Sequence, residues 1–255
     1  MNRPVPAATS YRLIADDLRA RILSQELMPG HRLIEAELSI SYGVSRGTIR
    51  EALRVLTSER LVETIRGRTG GSYVARVAPE SVSAYLRDAV EMLLSNEAVR
   101  LQDLIEVRQL IEPYAARLAA SRHHPGPLTV LRSHVALASD PARDERNWLW
   151  HDTVLRLSGN VLLPTIASPV YQLLSARFDR SLGAGRAWQQ IEDEHRHITE
   201  LIEVGDADAA AVAMREHLEL VHLTYLDLAA AQGYDGSGGG TDAAKRSANS
   251  QRVVK

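Results

Sequence analysis

Residues 43–74 constrain the fold most: a short polar break, an amphipathic run, and a glycine-rich turn between two β-forming segments. Ser45 is a good helix N-cap, and Ile49, Leu53 and Leu56 follow at i, i+4 and i+7, so the run is a helix with one side turned to a core. Gly47, Arg50 and Arg54 fall on the other side, while Arg46, in the first turn, projects past the helix end. A small residue beside arginines suits close approach to a phosphate backbone and a major groove, where arginine binds guanine O6 and N7 bidentately. A lone basic stripe is more often a solvated face. Here the neighbouring elements decide.

Two further helices are expected before this one, over 11–25 with Leu13, Ile14, Leu18 and Ile22 inward, and over 34–42. The Met28-Pro29-Gly30 turn separates them, and Gly43 supplies the short break that a helix-turn-helix needs. Residues 61–65 and 72–76 read as strands, joined by a tip that holds Gly67, Gly70 and Gly71 and carries Arg66 and Arg68. The order helix, helix, helix, hairpin is that of a winged helix-turn-helix.

The runs Gly43-Val44-Ser45-Arg46, Ile49-Arg50-Glu51-Ala52-Leu53 and Leu61-Val62, with Arg32-Leu33 and Glu35 before them, resemble the N-terminal domain of GntR-type transcription regulators. The motif is long enough to be specific and spans about the first third of the chain. It departs at Gly47-Thr48-Ile49, where many members carry a proline, a change expected to alter sequence preference more than fold. The resemblance implies Arg46, Thr48 and Arg50 near base edges or phosphates, supported by Arg32, Arg66 and Arg68, with Ser45, Gly47 and Gly70 on the same surface.

Charge separates the chain into parts with different tasks. Residues 1–76 hold 12 Lys and Arg against 8 Asp and Glu, whereas the remainder holds 18 against 24. The attraction for nucleic acid therefore lies in the N-terminal part. Expected boundaries are a flexible N-terminus over 1–9, a DNA-binding domain over 10–77, an all-helical effector-binding and dimerisation domain over 78–231, and a disordered Gly-rich tail over 232–255. There is no cysteine, which excludes disulfides and thiolate metal sites. Residues 1–10 lack an apolar signal-like core and no run approaches a membrane span, so a cytoplasmic protein without membrane contact is expected.

From Pro79 onward the pattern is helical, with candidate helices at 81–94, 99–121, 128–138, 142–158, 163–182, 188–204 and 207–231. The expected architecture is mainly α: the winged domain followed by an antiparallel bundle packed by Leu and Ala. Helical angle sorts the bundle's histidines. His195 shares a face with Ile191, Ile198 and Ile202, and His217 with Ala210, Ala213, Met214 and Val221; His197 and His222 fall off those faces. His151 sits with Val154 and Leu155, and Asn147 lies one turn earlier on the same stripe. Single inward histidines are usually satisfied core residues. Three on three helices of one acidic bundle make metal binding an equal reading, with Zn²⁺, Ni²⁺ or another divalent first-row ion suited to imidazole. His134 also faces inward by angle, so the wheel does not separate it.

Leu104-Ile105-Glu106-Val107-Arg108 with Glu112, then Trp150-His151, Ser158-Gly159-Asn160, Glu194-His195 and His217-Leu218, resemble the all-helical FCD effector domain of the FadR-like branch. Metal-binding members supply three histidines and a carboxylate four residues before the first. The resemblance thus implies a site of His151, His195 and His217, with Asn147 where the carboxylate stands, and it gives His134 no part. Arg108 shares an apolar face with Leu104, Ile105 and Ile111, and a buried guanidinium needs an anionic partner. An intrahelical pair with Glu112 at i+4 and an anionic effector fit equally by spacing. The resemblance favours a small organic acid held by Arg108 and the metal together.

These readings converge on a homodimeric, metabolite-responsive transcription regulator, most simply a repressor, that binds a pseudo-palindromic double-stranded DNA operator. Two rivals share the scaffold: a metal-dependent hydrolase using the same histidines, and a metal-free constitutive DNA binder. Against the hydrolase, the chain has no His-Glu-x-x-His pair, and Glu194 points about 100° away from His195 along its helix.

Overall fold

The computed structural model describes residues 7–67, 70–122, 125–135, 142–177 and 185–231. The chain forms two compact units, Met1–Ala78 and Pro79–Lys255. The expected tail over 232–255, the first six residues and Arg68 lie outside the described residues.

In the first unit α1 (Ala7–Leu23), β1 (Arg32–Leu33), α2 (Glu35–Tyr42), α3 (Arg46–Ser58), β2 (Val62–Ile65) and β3 (Gly71–Val74) follow in order. Ile14 and Leu18 of α1, Leu33 of β1, Ile49, Ala52, Leu53 and Leu56 of α3, and Val62 and Val74 of the hairpin form its core. Burial of this stripe sets how α3 lies, and so which of its residues reach solvent. Gly43 ends α2 in the left-handed region at φ 64° and accepts the turn that leads into α3. Ser45 caps α3: its backbone is extended and its hydroxyl accepts from the Thr48 N–H at 3.2 Å.

Three details differ from expectation. The first helix begins at Ala7 rather than Tyr11, since Ala7-Ala8 extend it with strong helix formers. Leu13 is 59 % exposed, because the buried face of α1 follows Ile14, Leu18 and Ile22 at i, i+4 and i+8, and Leu13 lies about 100° off it. A third strand, β1, pairs antiparallel with β3 (Arg32 opposite Tyr73), so the sheet order is β1-β3-β2. At two residues, β1 is too short to show alternation.

The second unit is all-helical: α4 (Pro79–Ser95), α5 (Leu101–Arg122), α6 (Pro125–Ser133), α7 (Arg143–Leu157), α8 (Leu162–Arg177), α9 (Gly185–Val204) and α10 (Ala207–Ala231). The fold is therefore mainly α, a winged helix-turn-helix followed by a helical bundle. Helix α6 begins at Pro125 rather than at 128, since the N–H that a proline lacks needs no partner in a first turn. Helix α5 runs through the middle, packed against α7, α8, α9 and α10. Ala116, Ala119 and Ala120 of α5, Trp150 and Val154 of α7, Ile198 and Ile202 of α9, and Met214 and Leu218 of α10 close around one core. Small alanines on α5 let its neighbours approach, which brings their inward polar side chains within reach of one another. Among the described residues no helix is long and apolar enough to cross a membrane.

Leu56 is fully buried and joins α3 to the hairpin core. Leu56→Ala should lower the stability of the first unit by about 2–5 kcal/mol in denaturant titration. Ile40→Ala, at an 83 % exposed position, should change it by less than about 0.5 kcal/mol.

Candidate functional site

Of the residues expected to meet DNA, Ser45 to Thr48 and Arg50 lie at the start of α3, Arg32 on β1, and Arg66 and Gly70 between β2 and β3. Ser45, Arg46, Gly47 and Arg50 are exposed and Thr48 is half-buried. The Ser45 hydroxyl is engaged as the helix cap and lies 3.0 Å from the Thr48 hydroxyl. A Cβ on Gly47 would have nothing closer than the Ser45 hydroxyl at 3.5 Å, so packing within the chain does not demand glycine there. Arg50 is held by Glu35 of α2 at 2.8 Å, across the helix-turn-helix. Arg32 donates to the Gly70 carbonyl at 2.9 Å and stands over the Tyr73 ring, which fixes it to the base of the wing. At Gly70 a Cβ would come 2.3 Å from the Ile65 carbonyl oxygen. Glycine is required by the turn itself. Arg66 is exposed beside it.

In the helical unit α7, α9 and α10 bring His151, His195 and His217 together. All three are buried, and one ring nitrogen from each lies within 4.8 Å of the others. The Nε2 atoms of His195 and His217 are 3.2 Å apart. Two nitrogens each about 2.1 Å from one ion lie roughly 3.0 Å apart at a right angle and roughly 3.4 Å apart at the tetrahedral angle. The donor set and its spacing fit a divalent first-row ion. Trp150 stacks on His195 with centroids 3.8 Å apart and planes 9° from parallel. Its indole N–H donates to the Thr199 hydroxyl at 3.0 Å, and that hydroxyl donates to the His195 carbonyl, so the stack is tied at both ends. Asn147 is buried on α7, and its amide NH₂ donates to the Tyr171 hydroxyl. His134, inward by angle alone, is half-buried just beyond the end of α6 and is not part of the cluster.

Both partners weighed for Arg108 bear on the outcome. Arg108 and Glu112 are each 2 % exposed and form the i,i+4 pair at 2.5 Å. The other Glu112 oxygen accepts from His151 Nδ1 at 2.6 Å, and the Arg108 guanidinium lies over the Tyr171 ring at 4.3 Å. Arg108 thus reaches the histidine cluster through a shared carboxylate and also directly, with Nη2 3.4 Å from His151 Nδ1 and 3.5 Å from its Nε2. It also lines a cleft with Ile105, Gln109, Leu218, Val221 and His222. Burial pushes the His151 imidazole down to about 3, with the Glu112 charge opposing this and Arg108 adding to it. Burial works to raise the Glu112 carboxyl, but the Arg108 charge together with His151 outweighs it, and Glu112 stays ionised. At neutral pH His151 is therefore neutral, the form that binds metal.

Sequence reasoning left two carboxylates unassigned. Spacing alone gives Glu112 as a partner for Arg108 and Glu194 as a carboxylate turned away from His195. Glu194 does point away from His195, and that direction carries it to His217 Nδ1 on α10, at 2.8 Å. A helical wheel gives directions within one helix and says nothing of what stands opposite.

Comparison with known proteins agrees with both units. Residues 10–74 match the model for bacterial regulatory proteins of the gntR family, and residues 103–220 match the FCD domain. The chain is 32 % identical over 206 residues to the galactonate operon transcriptional repressor of Escherichia coli (strain K12), covering 77 % of this chain and 88 % of the relative. It is 30 % identical over 208 residues to the HTH-type transcriptional regulator LutR of Bacillus subtilis (strain 168), covering 77 % and 92 %. Among solved structures, Streptococcus agalactiae GntR superimposes with a TM-score of 0.57 at 26 % identity, covering 84 % of this chain and 99 % of the other.

A histidine with a depressed native pKa makes stability depend on pH with a definite sign. The unfolded chain binds the His151 proton near its ordinary 6.5 and the folded chain only near 3, so acid favours unfolding between those values. The metal-free protein should keep full stability above about pH 6.5 and lose it progressively towards pH 3. Thermal melts across that range should show a shallower loss for His151→Gln.

Proposed function

Because the chain belongs to the gntR family of bacterial regulatory proteins and carries an FCD domain after its winged unit, we propose that it is a metabolite-responsive repressor governed by a metal-assisted carboxylate site. As a DNA-binding transcription regulator it has no need of turnover, and the hydrolase alternative falls with the family assignment. The observation that carries the effector reading is the buried cluster of His151, His195 and His217 with Arg108 joined to it through Glu112.

His151, His195 and His217 would hold a divalent ion, Zn²⁺ or Ni²⁺ by donor type, with Asn147 adding its carbonyl oxygen since its NH₂ is engaged by Tyr171. Such an ion supplies a Lewis-acid contact for one oxygen of a small organic acid. Arg108 grips the acid's negative charge, and the Arg108–Glu112 pair sets the guanidinium's plane. The operon named for the galactonate repressor concerns a sugar acid, which supports a carboxylate effector.

At the other unit, Arg46, Thr48 and Arg50 read a pseudo-palindromic operator as one half of a homodimer, with Arg32, Arg66 and Arg68 holding the backbone. Ser45 keeps the helix start in register, and Gly47 and Gly70 permit close approach. Arg50 exchanges Glu35 for DNA on binding. That pair is well exposed, so the exchange costs little. An effector coupling of about 1–3 kcal/mol suffices to change operator occupancy appreciably.

Native mass spectrometry of protein purified without chelator should give a dimer with one transition-metal ion per chain. A metal-free dimer that still binds DNA would instead make the protein a constitutive binder. In gel-shift titrations on DNA enriched by the wild-type protein from a random pool, Arg50→Ala should weaken binding by about 1–3 kcal/mol with metal content unchanged. Undiminished affinity would remove α3 as the reading helix.

A further inference from the structure

Resting on the metal centre proposed above, we propose that Glu194 is a positioning residue for that centre, fixing the tautomer and ring direction of His217, and that Glu112 does the same for His151. An imidazole offers its lone pair to an ion at one nitrogen only when the proton sits on the other. Glu194 accepts from Nδ1 of His217 at 2.8 Å, and Glu112 accepts from Nδ1 of His151 at 2.6 Å. Each carboxylate thereby keeps the proton on Nδ1 and leaves Nε2 as the lone pair. The His217 Nε2 so defined is the atom 3.2 Å from His195 Nε2, on the inner side of the cluster.

The topology explains how one dipeptide serves two rings. Glu194 and His195 are adjacent on α9, so their side chains leave the helix about 100° apart. Helix α10 packs along α9 and brings His217 between them. His195 meets the inner edge of that ring, and Glu194 meets its outer edge. The Trp150 face stacks on His195 itself. The two carboxylates are not equal in kind. Glu112 divides its charge between Arg108 and His151 deep in the bundle, whereas Glu194 is 27 % exposed and bonds His217 from the solvent side. Glu194 is therefore the position at which the orienting role can be removed without leaving a charge stranded in the core.

Full-length, metal-stripped protein is titrated with Zn²⁺ against a chromophoric chelator. Removing an outer carboxylate typically weakens a metal site about 10–100-fold, so Glu194→Ala should fall in that range and Glu194→Gln, which keeps a neutral acceptor, should fall between it and wild type. Glu200→Ala, which deletes an exposed carboxylate from the same helix, should leave Zn²⁺ affinity as in wild type. The melting temperature of metal-free Glu194→Ala should match that of the metal-free parent, which a merely structural bond would not allow. Wild-type Zn²⁺ affinity in Glu194→Ala, or an equal loss in Glu200→Ala, overturns the assignment. Failure of the wild-type protein to bind Zn²⁺ or Ni²⁺ at all overturns the metal centre itself, a result distinct from either.

Discussion

The Glu112 carboxylate, buried between Arg108 and His151, is the contact on which the arrangement of the helical unit depends. An ionised carboxylate in an aliphatic bundle is tolerated only when its charge is met and its lone pairs are filled. Arg108 meets the charge from one turn away on α5, and His151 fills a lone pair from α7. The guanidinium in turn covers Tyr171, whose hydroxyl accepts from Asn147. One charge pair thus sets the direction of three further side chains, His151 and Asn147 on α7 and Tyr171 on α8. Removing either charged partner strands the other, and such losses cost about 3–5 kcal/mol, so both are locked together whatever the unit binds.

How much of this was legible in the sequence follows from the range over which each rule operates. The cap at Ser45, the core stripe of α3 and the inward direction of His151, His195 and His217 are set by helical period within a single element, and period reads directly from spacing. Leu13 was misplaced because an apolar residue at the edge of a stripe is indistinguishable from one at its centre until the neighbouring helix is in position. The Glu35–Arg50 and Glu194–His217 contacts join different helices. Their partners are 15 and 23 residues apart, and no local period encodes them. Strand β1 is a two-residue consequence of β3 lying beside it. The gathering of His151, His195 and His217 was thus legible, and the hydrogen bonds that orient their rings were not.

Electrostatics of the proposed ligand set bear on what else the site must take. Three imidazoles and the Asn147 amide are all neutral, so none offsets the double charge of a divalent ion. Glu112, the buried carboxylate that contacts His151, is already balanced by Arg108. Desolvating an ion with its charge uncompensated is expensive, and the least costly remedy is an anionic ligand drawn from solution. A carboxylate at the position of Asn147 would have met part of that need internally. With an amide there instead, the burden shifts to the effector. Metal and acid are then mutually reinforcing, since by linkage each must raise the other's affinity by the same factor. A regulator built this way responds to the acid most strongly when the ion is present, and holds the ion most tightly when the acid is.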